Sequence, residues 1–154
     1  MDQERLLALL ESFIRINNKY NIVDKKPLDY GTGDLIYPSE IHLLNAADKK
    51  HGENITELGN SLGISKSAAS QTVSKLVRKG FCRKVKLENQ KNIYLELTRK
   101  GENAVKGFKE YKSALFADMV KAFEDSSDRN VKLIEELFRQ IEALMDALML
   151  KADD

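Results

Sequence analysis

Five side chains between Ser65 and Lys79 are of types that read nucleic acid, and they fall on one side of a helical wheel: Ser67, Gln71, Ser74, Lys75 and Arg78. At 100° per residue, Ala69, Val73, Leu76 and Val77 point the opposite way and are the expected buried stripe. Small hydroxyl residues let a helix enter the major groove, where an amide or guanidinium reaches base edges. A merely solvated helix face mixes Glu with Lys, whereas no acid occurs between Ile64 and Leu87. With Ser65, Lys66 and Ser70 beside them, these residues are the candidate DNA contacts. Gln71 is the candidate base reader, through a bidentate bond to adenine. Lys75 and Arg78, further along, are the candidate phosphate anchors.

Two short helices and a turn are needed to hold that face out. Asn54 is a good N-cap and Glu57 stands where a capping-box partner belongs. Ile55, Leu58 and Leu62 give the first helix a single apolar side. Gly63 ends it in a left-handed turn, Ile64 plugs the turn, and Ser65 caps a second helix that runs to Lys79 and stops at Gly80. The pattern is a helix-turn-helix with Ser65 to Lys79 as recognition helix.

The periodicity then changes. Phe81 to Leu87 and Ile93 to Thr98 read as two strands, with Ile93, Leu95 and Leu97 alternating with Tyr94 and Glu96. The polar run Glu88 to Asn92 forms the hairpin tip. A hairpin directly after a recognition helix is a wing. Arg83, Lys84, Lys86 and Lys91 make it basic and suited to phosphate or minor-groove contact, although edge strands also carry lysine simply to block aggregation.

Charge is distributed accordingly. Met1 to Ile64 holds seven Lys/Arg against ten Asp/Glu, Ser65 to Lys91 eight against one, and Asn92 to Asp154 ten against thirteen. A basic island between acidic flanks is the footprint of a local phosphate-binding surface. No run reaches the roughly 18 apolar residues of a membrane span, and the first residues lack the cationic region of a secretory signal. One cysteine excludes an intrachain disulfide framework and fits a reducing compartment, so a cytoplasmic location is expected. Cys82 calls for a small core hydrophobe, with a redox thiolate as the alternative. His42 and His51 stand nine apart without a nearby cysteine, and surface or helix-end roles suit them better than a metal site. Neither a catalytic constellation nor a cofactor motif is present, so no enzyme activity, catalytic residue, metal or cofactor is expected.

The remaining chain is mostly helical. Residues 2 to about 20 carry a wide apolar stripe from Leu6 to Tyr20. Asp24 to Tyr37 reads as a linker broken by Pro27, Gly31 and Gly33, and Pro38 and Ser39 open a helix to about Lys49 with Ile41, Leu44 and Leu43 inward. Thr98 caps a long helix from Arg99 to about Phe123, and the turn Glu124 to Asp128 leads into a last helix to about Leu150. The last helix has apolar residues three and four apart from Val131 to Leu148, a coiled-coil-like seam.

In this order and spacing, ITELGNSLGISKSAASQTVSKLVRKGF and the strand-to-helix join LELTRKGENA resemble the MarR family of winged helix-turn-helix transcription regulators over nearly the whole chain. Leu97, Thr98 and Gly101 match the family's LT-x-x-G join. The resemblance implies a mainly α fold with a small β-hairpin wing. It places the winged helix-turn-helix at 38–100 and dimerisation helices at 1–23 and 101–154. It further implies a homodimer on a near-palindromic double-stranded operator, acting as a ligand-responsive repressor. A small aromatic or anionic effector would then sit between the first helix, the linker and the long helix, with Tyr30, Tyr37, Phe108 and Tyr111 as candidate contacts. Two features depart from the family. Asn89-Gln90-Lys91 stands where the wing tip often carries Asp-x-Arg, and Cys82 does not match the N-terminal cysteine of peroxide-sensing members. The alternative function is a winged-helix protein-interaction module without DNA binding, which a steep salt dependence of DNA affinity would exclude.

Overall fold

The computed structural model describes residues 3–50, 52–86 and 92–152. The elements run α1 (Gln3–Val23), β1 (Leu28–Asp29), β2 (Leu35–Ile36), α2 (Pro38–Lys49), α3 (Ile55–Ser61), α4 (Lys66–Arg78), β3 (Cys82–Lys86), β4 (Ile93–Leu97), α5 (Arg99–Glu124) and α6 (Asp128–Ala152). The chain is mainly α with a β-hairpin wing, a winged helix-turn-helix carrying long N- and C-terminal helices. It divides into two compact units, Met1–Lys112 and Ser113–Asp154.

Local chemistry sets the helix-turn-helix. The Asn54 side chain accepts from the Thr56 and Glu57 amides at 2.9 and 3.1 Å, and the Asn54 amide donates to Glu57 Oε2 at 2.7 Å, completing a capping box. Gly63 takes φ +65°, a left-handed conformation that a side chain resists. Gly59 packs so near α4 that an added Cβ would lie 3.1 Å from Ala69 Cβ. At the end of α4, Gly80 is also left-handed, and the Phe81 amide reaches back to the Leu76 carbonyl at 3.0 Å. That is a Schellman closure with the fully buried Phe81 as its apolar contact.

The core of the first unit gathers Ile36, Ile41, Leu43 and Leu44 with Ala69, Val73, Leu76, Phe81 and Cys82, and with Ala104, Val105 and Phe108 from the first turns of α5. One expected core position is corrected. Val77 is 38% exposed, and Thr72 is buried in its place, its hydroxyl donating to the Ala68 carbonyl at 2.9 Å. The buried stripe of α4 is therefore rotated toward Thr72. The span expected as a linker holds a two-residue antiparallel ladder, Leu28 opposite Ile36 and Asp29 opposite Leu35. Asp29 accepts from the Thr32 and Gly33 amides and closes the loop between these strands.

In the wing, β3 and β4 are antiparallel with Cys82 opposite Leu97 and Lys86 opposite Ile93. A bridge between Asn54 and Tyr94 ties the start of α3 to the wing. The Thr98 join explains its own sequence. Thr98 Oγ1 donates to the Gly80 carbonyl at 2.7 Å and accepts from the Gly101 amide at 3.2 Å, and a Cβ on Gly101 would collide with the Phe81 carbonyl. In the second unit, the Asn130 amide donates to Ser127 Oγ at 3.3 Å where α6 begins. Its apolar residues, including Leu115, Val120, Leu137, Phe138 and Leu144, are exposed in the single chain. No helix among the described residues is long and apolar enough to cross a membrane.

Candidate nucleic-acid interface

The helix α4 contains no acid, and its buried side is Ala69, Thr72, Val73 and Leu76. Lys66, Ser67, Gln71, Ser74, Lys75 and Arg78 are exposed, and Ser70 is half-buried. Ser70, Gln71, Ser74, Lys75 and Arg78 line one shallow depression of about 370 Å³. Two serines are partly committed to the helix itself. Ser65 Oγ accepts from the Ala68 amide at 3.2 Å and lies 3.0 Å from Ser67 Oγ, and Ser74 Oγ donates to the Ser70 carbonyl at 2.9 Å. Ser74 therefore offers lone pairs outward beside the exposed amide of Gln71.

The wing presents Arg83, Lys84 and Lys86 to solvent, and Lys91 lies outside the described residues. Arg83 stands directly across the ladder from Glu96, donating to it through Nε at 3.1 Å and Nη2 at 2.7 Å. These hydrogen bonds raise the guanidinium pKa and hold the Glu96 carboxyl below its usual range. The arginine fork is occupied by its neighbour. Sequence reading missed this acid, although counting outward from the hairpin tip pairs positions 83 and 96.

A second missed feature fixes the far end of α4. Glu40 is buried, and its Oε2 accepts from Lys79 Nζ at 2.7 Å and from the Tyr37 amide at 2.9 Å. Lys79 Nζ also donates to the Leu35 carbonyl at 3.1 Å and lies 5.5 Å from the centre of the Tyr37 ring. Lys100 donates to the Lys79 carbonyl at 2.9 Å, pairs with Asp34, and sits 4.6 Å over the Phe81 ring. The signal available in the sequence was Glu40 three residues into a helix opened by Pro38, the capping-box spacing.

The candidate effector residues separate. Tyr30 and Tyr111 line a pocket of about 380 Å³ with Leu28, Asp29, Gly31, Gly107 and Glu110. Phe108 is buried behind it, edge-on to Tyr30 at 5.6 Å and to His42 at 5.3 Å. Tyr37 is not among the lining residues and stands by Lys79 instead. His42 is half-buried, with Nε2 3.2 Å from Asp24, whereas His51 lies outside the described residues. Cys82 is 2% exposed, and burial pushes its thiol up to about 11 against a smaller opposing pull from Lys84. A thiol so placed is a core hydrophobe, not a thiolate sensor.

The fold and this surface define a winged helix-turn-helix DNA-binding transcription regulator. Residues 36–93 match the model of the MarR family. It is 23% identical over 140 residues to YhjH of Bacillus subtilis strain 168, an uncharacterized HTH-type transcriptional regulator, covering 90% of this chain and 77% of that protein. Among solved structures it resembles Staphylococcus aureus MarR in complex with salicylate and kanamycin, with a TM-score of 0.70, 19% identity and 93% of each chain covered. It also resembles Streptococcus pneumoniae FabT in complex with DNA, with a TM-score of 0.64, 18% identity and 96% and 99% of the two chains covered.

Proposed function

We propose that this chain acts as a homodimeric, sequence-specific repressor whose hold on its operator responds to a small ligand. The observation that carries the DNA-reading part is the exposed, acid-free face of α4 backed by a fully buried one. Ser65, Lys66, Ser67, Ser70, Gln71, Ser74, Lys75 and Arg78 approach the major groove. Lys84, Lys86 and Lys91 add phosphate attraction at the wing, joined by Arg83 when it leaves Glu96. The complex of FabT with DNA supports this use of the fold.

The dimer reading rests on apolar side chains that one chain leaves open, such as Leu9, Ile14 and Ile16 on α1 and Leu137, Leu144 and Leu148 on α6. Helices 1–23 and 101–154 form the dimer layer in this reading, the first turns of α5 also packing under the DNA-reading region. The pocket at Tyr30 and Tyr111 is the effector site, and the salicylate complex of Staphylococcus aureus MarR supports a small-molecule role. An effector releases DNA only if it prefers the state that cannot bind it.

Footprinting on the DNA flanking the protein's own coding region tests the proposal. Protection of a near-palindrome by a dimer, with half-sites roughly one helical turn apart, is the expected result. An asymmetric minimal site covered by one protomer would contradict it. Binding that ignores salt concentration would instead favour the protein-interaction module.

A further inference from the structure

The lining of the Tyr30–Tyr111 pocket has a sign. Two tyrosines and two carboxylates, Asp29 and Glu110, form its polar wall, and no lysine or arginine among the described residues lines it. The tyrosine rings meet at 69° with their centres 5.9 Å apart, an aromatic corner. Gly107 lets the backbone at Tyr30 press directly on α5, since a Cβ there would run into the Tyr30 carbonyl. Both Asp29 oxygens accept from the loop, from the Thr32 and Gly33 amides, which fixes that carboxylate between β1 and β2. On the same stretch of α5, Lys109 is turned to Asp48 at 2.7 Å.

We propose that this pocket takes an organic cation, a protonated amine or quaternary ammonium on an aromatic body, and not the aromatic anion that the family resemblance implies. The proposal rests on the reading of this pocket as the effector site. Ring faces carry negative potential and attract an ammonium within about 6 Å, and carboxylates add to that attraction. A carboxylate ligand would meet both with the wrong sign. Burial is the first cause that raises the Tyr30 hydroxyl to about 12, with Tyr111, Asp24 and Tyr20 adding to it. The occupant would also touch the β1–β2 segment, whose Asp34 pairs with Lys100 of α5 and whose Leu35 carbonyl accepts from Lys79 at the end of α4.

The test uses the full-length protein with a matched pair of probes, benzyltrimethylammonium and benzoate. Binding is followed by tyrosine fluorescence and thermal shift, and operator release by fluorescence anisotropy. Saturable binding of benzyltrimethylammonium, roughly three- to tenfold weaker in Glu110→Gln and in Tyr111→Leu, with benzoate much weaker, is the expected result. Glu110 is exposed, so Glu110→Gln retains the fold. Benzoate binding as well as or better than the cation, or binding of neither, overturns the proposal. If benzoate alone releases the operator, the effector reading survives while the cation proposal falls. If the cation binds, depends on Glu110 and leaves operator affinity unchanged, the cation site stands and the effector reading falls.

Discussion

At the scale of single residues, the proposed DNA reading assigns specificity to Gln71 and affinity to the two cations after it. Gln71→Ala is expected to cost about 1–3 kcal/mol at one operator position and to relax preference there. Lys75→Ala and Arg78→Ala should weaken all sequences about equally and flatten the salt dependence. Affinities on single-base operator variants at several salt concentrations check both. The Arg83–Glu96 pair adds a prediction of opposite direction. Glu96 is held below its usual pKa by Arg83, so the pairing is present above the ordinary carboxylate range and is lost as pH falls through the lowered value. Glu96→Gln reproduces the released state at neutral pH. It should tighten DNA binding and steepen the salt slope by roughly one per wing, as Arg83 turns to a phosphate. An unchanged slope in a salt titration would mean that Arg83 does not reach DNA.

At the scale of elements, α4 is fastened by contacts from far along the chain. Removing Lys79 leaves the buried Glu40 carboxylate without its cation, so Lys79→Met should lower stability by on the order of 2–3 kcal/mol. Adding Glu40→Gln should recover much of the loss, because the charge is then gone. Urea unfolding of the three variants forms the cycle that checks this. The join at Gly101 fails for a different reason. A methyl there meets the Phe81 carbonyl, which is fixed by the Thr98 amide at 3.0 Å. Gly101→Ala should therefore destabilise by about 1–3 kcal/mol despite its better helix propensity, as a thermal melt would show.

For the whole molecule, the exposed apolar residues of α1, the end of α5 and α6 are the proposed dimer surface. A dimer that covers them should bury more than about 2,000 Å² and behave as obligate. Leu144→Asp places a charge on the seam of α6, where Leu144 is 55% exposed in one chain. The variant should sediment as monomer or aggregate and lose operator binding, because two-fold reading requires both protomers. A soluble wild-type monomer at micromolar concentration would remove the basis for a two-fold operator.

Much of this protein is legible without coordinates because its decisive features are local. The capping box at Asn54 and Glu57, the left-handed glycines at 63 and 80 and the 3.6-residue stripe of α4 each span only a few residues. These features place the helix-turn-helix and leave Ser67, Gln71, Ser74, Lys75 and Arg78 facing outward. The alternation of Ile93, Leu95 and Leu97 likewise announces the wing. What tertiary structure alone decided depends on neighbours distant in sequence. Periodicity fixes a helix face only to within one residue, so what α2 and β3 press against determined that Thr72 is buried and Val77 is not. Two-residue strands are too short to show a period, so the β1–β2 ladder was hidden. Glu40 meets Lys79 across 39 positions, and Asp29 shares a pocket with Glu110 only because Gly107 lets the β1 segment lie against α5. The two acids of that pocket come from segments distant in sequence, so only the packing brings them together.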